Sequence, residues 1–482
     1  MRVLKPGHTG SFRQSGVNTA ARRLFTRTAR GLLGPGVAAA VVALVTSHAA
    51  AVTLTVGPFG DYDSIQEGLD AAAPGDTVAV SFGTYSGTQN TNLDFGGKAV
   101  TLRSESGPSS TAIDCQNAAR AFTFTSGEDT TSVVRGFSIL NGHDDNDGGA
   151  VYCLGSSPLF ADCVFEGNSS GTPGSGGRGG AVYAEQSHIV VEGCLFRDNT
   201  GDDGAGMFTR YSTASIRNSR FLDNVATHGG GGLRILSDGG TITGCTFAGN
   251  TAPVYGGGVY FCYSSPVFRN CTLAYNAASQ GGGAYGYDAT PTFTNCIVAH
   301  SPEGAAFYCP GASAFTIEHC CIYGNAGGDD PCGDAGDNIF EDPLLCQSDE
   351  GELRLQDCSP CIGTGEDGED IGAWETGCPC GDETKAPEPP GPLSLSACPN
   401  PARDGSVLTY EVPPGCGGAA IAVYNLSGRV VAGIAGDELP SRKGRIRWDG
   451  TDRAGKPVAS GVYFARLTCG ELTTSARLVV VR

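Results

Sequence analysis

One pattern recurs through the middle of the chain and restricts it to very few folds. It reads Cys163-x-Phe165-x-x-Asn168, Cys194-x-Phe196-x-x-Asn199, Ser219-x-Phe221-x-x-Asn224, Cys245-x-Phe247-x-x-Asn250 and Cys271-x-Leu273-x-x-Asn276. Weaker copies follow at Cys296-x-Val298 and Cys320-x-Ile322-x-x-Asn325. The steps from Asn to Asn are 31, 25, 26 and 26 residues, with no helical periodicity. A repeat of this length without helices suits a three-sided β-coil stacked on copies of itself.

Spacing assigns each position a direction. Side chains alternate along a strand, so Cys163 and Phe165 share one face. The apolar residue three before the Cys position (Phe160, Val191, Ile216, Ile242, Phe268, Phe293, Ile317) points inward too. Between them a bend is expected at Asp162, Gly193, Asn218, Gly244, Asn270 and Asn295. Stacking then places like residues about 4.8 Å apart. The column from Cys163 to Cys320 becomes a ladder of small core fillers. Asn168 and its equivalents sit where strand gives way to turn. There they tolerate left-handed backbone and hydrogen-bond along the stack, a structural role.

Gly148-Gly149, Gly179-Gly180, Gly229–Gly232, Gly256–Gly258 and Gly281–Gly283 supply positive φ at the next corner. No Lys-Ser/Thr pair and no helix follows them, which excludes a phosphate loop. The strand after each run carries Tyr152, Tyr183, Phe208, Arg234, Tyr260 and Tyr285, with apolar residues just before them. Alternation points these six outward as one exposed line. The line is either a stacking ladder that stabilises the sheet or a platform for sugar rings.

Glycine reaches 74 of 482 residues without a G-X-Y period, which excludes collagen. Residues 1–50 hold seven of the 31 basic residues and no acid, leaving 24 basic against 50 acidic beyond them. A chain that acidic is a poor partner for nucleic acid or an anionic membrane. The 20 cysteines point to an oxidising compartment, and no zinc spacing accompanies them. Arg22, Arg23, Arg27 and Arg30 precede an apolar run over 31–45, then Ser47, Ala49 and Ala51 at small-residue cleavage spacing. This is the order of a signal peptide over 1–51. No other run is apolar enough to span a bilayer.

Ahead of the repeats, Val52 to Val56 reads as a strand. Ser64 and Glu67 have capping-box spacing for a short helix to about Ala73, placed to cover the open end of the coil stack. The stretch 55–85 resembles the entry segment of secreted right-handed β-helix proteins of the pectin-lyase-like class. The GGxV and FxxN strings resemble repeats of the chlamydial polymorphic outer-membrane proteins, which are adhesins and autotransporters. Asp342-Pro343-Leu344, Ser359-Pro360-Cys361 and Asp370 to Glu375 resemble the closing coil of bacterial surface β-helix proteins. The resemblance implies an all-β chain: a right-handed parallel β-helix over 52–378 with an N-terminal capping helix.

Five prolines mark a linker over 379–396. Residues 397–482 show strands separated by Gly/Asp turns, a β-sandwich of about seven strands. Pro399-x-Pro401, Ile421 to Val431, Trp448-x-Gly450 and Gly461-x-Tyr463 resemble the Ig-like module of FlgD-type proteins and of type IX secretion sorting domains. That resemblance implies an attachment or export role, with secretion machinery as partner. Cys398, Cys416 and Cys469 leave room for one disulfide.

Acids gather beside the aromatic line. Asp144, Asp145 and Asp147 lie in one coil, Asp202 and Asp203 two coils later, Arg178 between and His228 after. Two coils are roughly 10 Å, within the inverting-glycosidase range. Asp144, Asp202 and Arg178 are therefore the catalytic candidates, and Asp144, Asp145 and Asp147 the candidate Ca²⁺ donors. No cofactor is otherwise required. The leading expectation is a secreted or cell-surface protein that binds polysaccharide or cell-surface glycan without catalysis. A polysaccharide lyase or hydrolase, and a purely architectural envelope component, are the alternatives.

Overall fold

The computed structural model describes residues 50–481, apart from 172–175, 238, 348–351, 381–393, 399–405, 413–418, 426–428, 436–438, 440–442, 454 and 470–471. The leader expectation over 1–49 and most of the linker expectation lie outside the described residues.

The repeats wind into a parallel β-helix. Its strands stack into sheets of 12, 10 and 8 members, and a narrower sheet of four runs beside the last. One coil shows the circuit. Val151–Leu154 lies in the 8-stranded sheet, Leu159–Ala161 in the 12-stranded, Val164–Glu166 in the 10-stranded and Ser169–Ser170 in the narrow one. The next coil repeats this in register: Val151 pairs with Val182, Phe160 with Val191 and Phe165 with Phe196.

The register carries the spacing argument into packing. Phe165, Phe196, Phe221 and Phe247 stack face to face at 4.6, 4.5 and 4.7 Å. The cysteine column is buried beside them in one continuous core. Each thiol donates to the carbonyl two residues back, as Cys245 Sγ does to Thr243 O at 3.3 Å. Ser219 makes the same contact, to Arg217 O at 2.8 Å, which is why a hydroxyl replaces a thiol there without leaving an orphan donor.

The corners follow the expected backbone. Asp162, Gly193, Asn218, Gly244, Asn270 and Asn295 all have φ between 48° and 62°. The Asn ladder differs in one respect. The left-handed residue is the one before each Asn, at Gly167, Asp198, Asp223, Gly249 and Tyr275. The Asn side chain instead turns inward. Asn224 Nδ2 donates to Asn250 Oδ1 at 2.9 Å and to Phe196 O at 3.0 Å, and Asn199 Nδ2 donates to Asn224 Oδ1 at 2.8 Å. Gly179 has φ +65°, and a Cβ on Gly180 would collide with the carbonyl oxygens of Thr200 and Ala205. Glycine is thus required for both conformation and close approach.

A helix over Ile65–Ala71 lies against the first strands, with Ile65 and Leu69 buried in the same core as Val56 and Val78. Glu67 accepts the Ser64 N–H at 3.2 Å. Disulfides join Cys309 to Cys332, Cys346 to Cys378 and Cys358 to Cys380, so the Cys358-x-x-Cys361 pair does not close on itself. In the C-terminal region two antiparallel sheets of three and four strands enclose Leu408, Tyr410, Ile421, Val423, Trp448 and Leu467. The first strand, Ser394–Cys398, begins inside the expected linker. Cys469 is disulfide-bonded. Among the described residues no helix is long and apolar enough to cross a membrane.

Candidate functional site

The six side chains of the aromatic line do leave the coil interior. Their neighbours Val151, Val182, Met207, Leu233, Val259 and Ala284 are the ones fully buried in the core. The expected exposure is corrected by the structure. Tyr183 and Phe208 are 1% and 0% exposed, Tyr260 and Tyr285 are buried, and Tyr152 is half-buried.

Arginines are the cover. Arg120 lies over Tyr152 at 5.1 Å, Arg178 over Tyr183 and Phe208 at 5.4 and 5.5 Å, and Arg234 over Phe208 and Tyr260 at 5.6 and 4.3 Å. Under them Tyr152, Tyr183 and Phe208 stack at 5.5 Å with rings nearly parallel. Burial pushes the phenols of Tyr183 and Tyr260 well above their ordinary range, and Tyr183 donates to Glu185 at 2.7 Å.

The acidic turn holds these guanidinium groups in place. Asp144 meets Arg120 at 2.6 Å. Asp147 takes Arg178 in a fork, through Nε at 3.0 Å and Nη2 at 2.9 Å, and also accepts the Arg178 N–H. Asp203 pairs with Arg234 and with His228, the latter at 2.8 Å. Asp202 is buried and accepts from the Thr227 hydroxyl and the Gly176 N–H. Asp145 alone points into solvent, 3.4 Å from His143. The sequence brought the right residues to one face but not their purpose. Asp144 and Asp202, set as a general acid–base pair, are each engaged elsewhere. Of the three candidate cation donors Asp144, Asp145 and Asp147, two already face a guanidinium group. Among the described residues no group of three or more His, Cys, Asp or Glu is arranged to hold a metal ion.

Arg178→Met keeps the stem over the rings and removes the charge. It is expected to lower stability by about 1–3 kcal/mol, because Asp147 loses its charged partner. The urea midpoint checks this, and Arg178→Lys should recover only part of the loss, since a fork is replaced by a point charge.

A more exposed aromatic group lies at the last coils of the same sheet: Tyr287 two residues beyond Tyr285, Tyr263 in the corner after its strand, and Tyr308 in register with Tyr285 on the next coil. Tyr263 is 57% exposed, Tyr308 40% and Tyr287 39%. Tyr263 and Tyr287 meet edge to face at 5.7 Å, and Tyr308 stacks on Tyr285 at 5.7 Å. Tyr285 in turn leans on Tyr255 and Tyr260 at 4.7 and 5.0 Å. Sequence reading missed Tyr263 because it occupies the left-handed corner after the strand, at φ 52°, where a bulky residue is unexpected. That incongruity was the available signal.

Stacked in-register coils of this kind define a parallel β-helix. The family described as "Right handed beta helix region" matches residues 218–342, and the Chlamydia polymorphic membrane protein repeat matches residues 162–185. The repeat region is a right-handed parallel β-helix. No curated protein matches the chain. Among solved structures, dimeric latent PorU from Porphyromonas gingivalis is 20% identical over 18% of this chain and 9% of its own, with a TM-score of 0.15. PorZ of the same organism, described as a surface component of the type-IX secretion system, is 23% identical over 18% and 12%, with a TM-score of 0.15. Pectate lyase Pel9A is 12% identical over 68% of this chain and 96% of its own, with a TM-score of 0.38. The chain thus spans a small fraction of PorU and PorZ.

Proposed function

We propose that this chain is a secreted or surface-displayed β-helix that binds an uncharged polysaccharide on the tyrosines of its last coils. In this reading its C-terminal sandwich serves export or attachment. The observation that carries the binding site is the exposed set Tyr263, Tyr287 and Tyr308: Tyr263 and Tyr287 meet edge to face, and Tyr308 stacks on Tyr285, which leans on Tyr260 and Tyr255. Flat rings held by aromatic neighbours suit the apolar faces of sugar rings, and less side-chain entropy remains to be lost.

Charge selects the sugar class. Between Arg234 and Arg354 the only Lys or Arg is Arg269, and it is paired with Glu366. The Tyr263 phenol is raised, first by partial desolvation, then by Tyr287 and Cys262, with Asp288 a smaller contributor. The nearest cation, Arg234 over Tyr260, is already paired with Asp203, so a uronate or sulfated chain would meet a surface with little unpaired positive charge. The engagement of Asp144, Asp147, Asp202 and Asp203 with arginine, hydroxyl and amide partners supports binding over catalysis.

The test is retention of the full chain on neutral glucans, mannans and xylans beside pectate and alginate in an affinity gel. Tyr263→Ala with Tyr287→Ala is expected to weaken neutral-glycan binding by about tenfold or more, roughly 1.4 kcal/mol. Unchanged binding in the double variant, or retention by no glycan, overturns the reading.

A further inference from the structure

The closing segment runs along the outside of the 10-stranded sheet in reverse order. Outward residues Thr246, Thr272, Ile297 and Cys321 form one column, paired in register from coil to coil. Trp374 Nε1 donates to Thr246 Oγ1 at 2.8 Å and Ala373 N–H to Thr272 Oγ1 at 3.0 Å. Gly372 comes so close to Ile297 that a Cβ there would stand 2.7 Å from its Cδ1. Its N–H donates to Asn295 O, and Ile371 N–H donates to Cys361 O, both at 2.9 Å. The segment is a strap laid residue by residue down one column, and it ends on Cys321.

At that end Cys321 and Cys361 are both fully buried in one apolar cluster with Ile297, Leu345, Leu353, Leu355 and Ile371. Both thiols are free, and Cys321 Sγ donates to Glu341 O at 3.2 Å; the Cys361 thiol beside it, then burial, push the Cys321 thiol far above its ordinary range. The disulfides Cys346–Cys378 and Cys358–Cys380 tie the closing segment to itself, and Cys309–Cys332 ties coil to coil. Among the described disulfides none joins strap to coil.

We propose that Cys321 and Cys361 are a cross-linking site, oxidised in the secreted chain to a disulfide that fastens the strap to the last coils. The two thiols give up two protons and two electrons. An external disulfide, of a small thiol or of an oxidoreductase, accepts them and leaves as two thiols. Exchange takes place before the strap docks, while both sulfurs are open to solvent and still able to ionise. The bond would close the loop from 321 to 361 and keep the apolar column covered. Were the strap to lift away, that column would be an exposed sheet face at the end of the solenoid.

The test uses the full chain secreted into an oxidising compartment, denatured and alkylated without reductant, then digested and weighed. The expected product is a peptide pair joined through Cys321 and Cys361, two hydrogens lighter than the separate thiols. Cys163 and Cys194 should carry the alkyl group. A Cys320→Ser version assigns the bond to Cys321 over its neighbour. Alkylation of both Cys321 and Cys361 in unreduced protein overturns the proposal. In Cys361→Ser, amides of Ile371 to Ala373 are expected to exchange about tenfold faster, with those around Asn224 unchanged. Equal exchange in variant and parent overturns the fastening role even if the bond is found.

Discussion

Asn224→Ala is expected to cost about 4 kcal/mol of stability in the coils around it. Asn224 is fully buried, and its side chain makes four hydrogen bonds to three neighbours at once. It accepts the N–H and the Nδ2 of Asn199 at 3.2 and 2.8 Å, and donates to Phe196 O at 3.0 Å and Asn250 Oδ1 at 2.9 Å. Alanine removes the partner but leaves the Asn199 donors and the Phe196 carbonyl in a dry interior. Each orphaned group costs about 1–3 kcal/mol, more than the bond itself contributed. The effect should remain local, because each coil touches only its neighbours. Hydrogen exchange is the fitting measurement: amides from Asn199 to Asn250 lose protection, while those near Val78 keep it. An unchanged exchange pattern would mean that the ladder is ornamental and that the sheets alone hold the coils.

Phe221→Ala is the second large effect, at about 4 kcal/mol. Phe221 is sandwiched between Phe196 at 4.5 Å and Phe247 at 4.7 Å, both rings nearly parallel to it. The hole left by alanine cannot collapse, since the spacing of coils is fixed by backbone hydrogen bonds on the sheets either side. Phe221→Leu should recover most of the loss, as Leu273 already ends the same stack in the native chain. Tyr211→Ala, in an exposed corner, is the control and should move the denaturation midpoint little. Equal effects at Phe221 and Tyr211 would contradict the packing argument.

The coil was legible because its rules are local. Alternation decides the direction of Cys163 and Phe165, and a backbone bend with positive φ admits only Gly, Asn or Asp at low cost. Both rules act within a few residues, so they leave a visible spacing. The direction of Tyr183 was legible for the same reason. Its exposure was not, because Arg178, which covers it, folds over from the turn ahead of the strand. It is held there by Asp147 from the coil before. The strap was equally hidden: Trp374 and Thr246 are 128 residues apart, and nothing in either neighbourhood announces the other.

The repeat in the sequence thus determined the β-helix, its register, its inward columns and the ladder of Asn side chains, through steric rules that any isolated coil obeys. Only the tertiary structure decided which outward residues meet solvent. Exposure depends on what comes to lie above a side chain from another coil or from the closing segment. It gave Asp144, Asp147 and Asp203 to arginines, moved the open aromatic surface to Tyr263, Tyr287 and Tyr308, and set Cys361 in one cluster with Cys321.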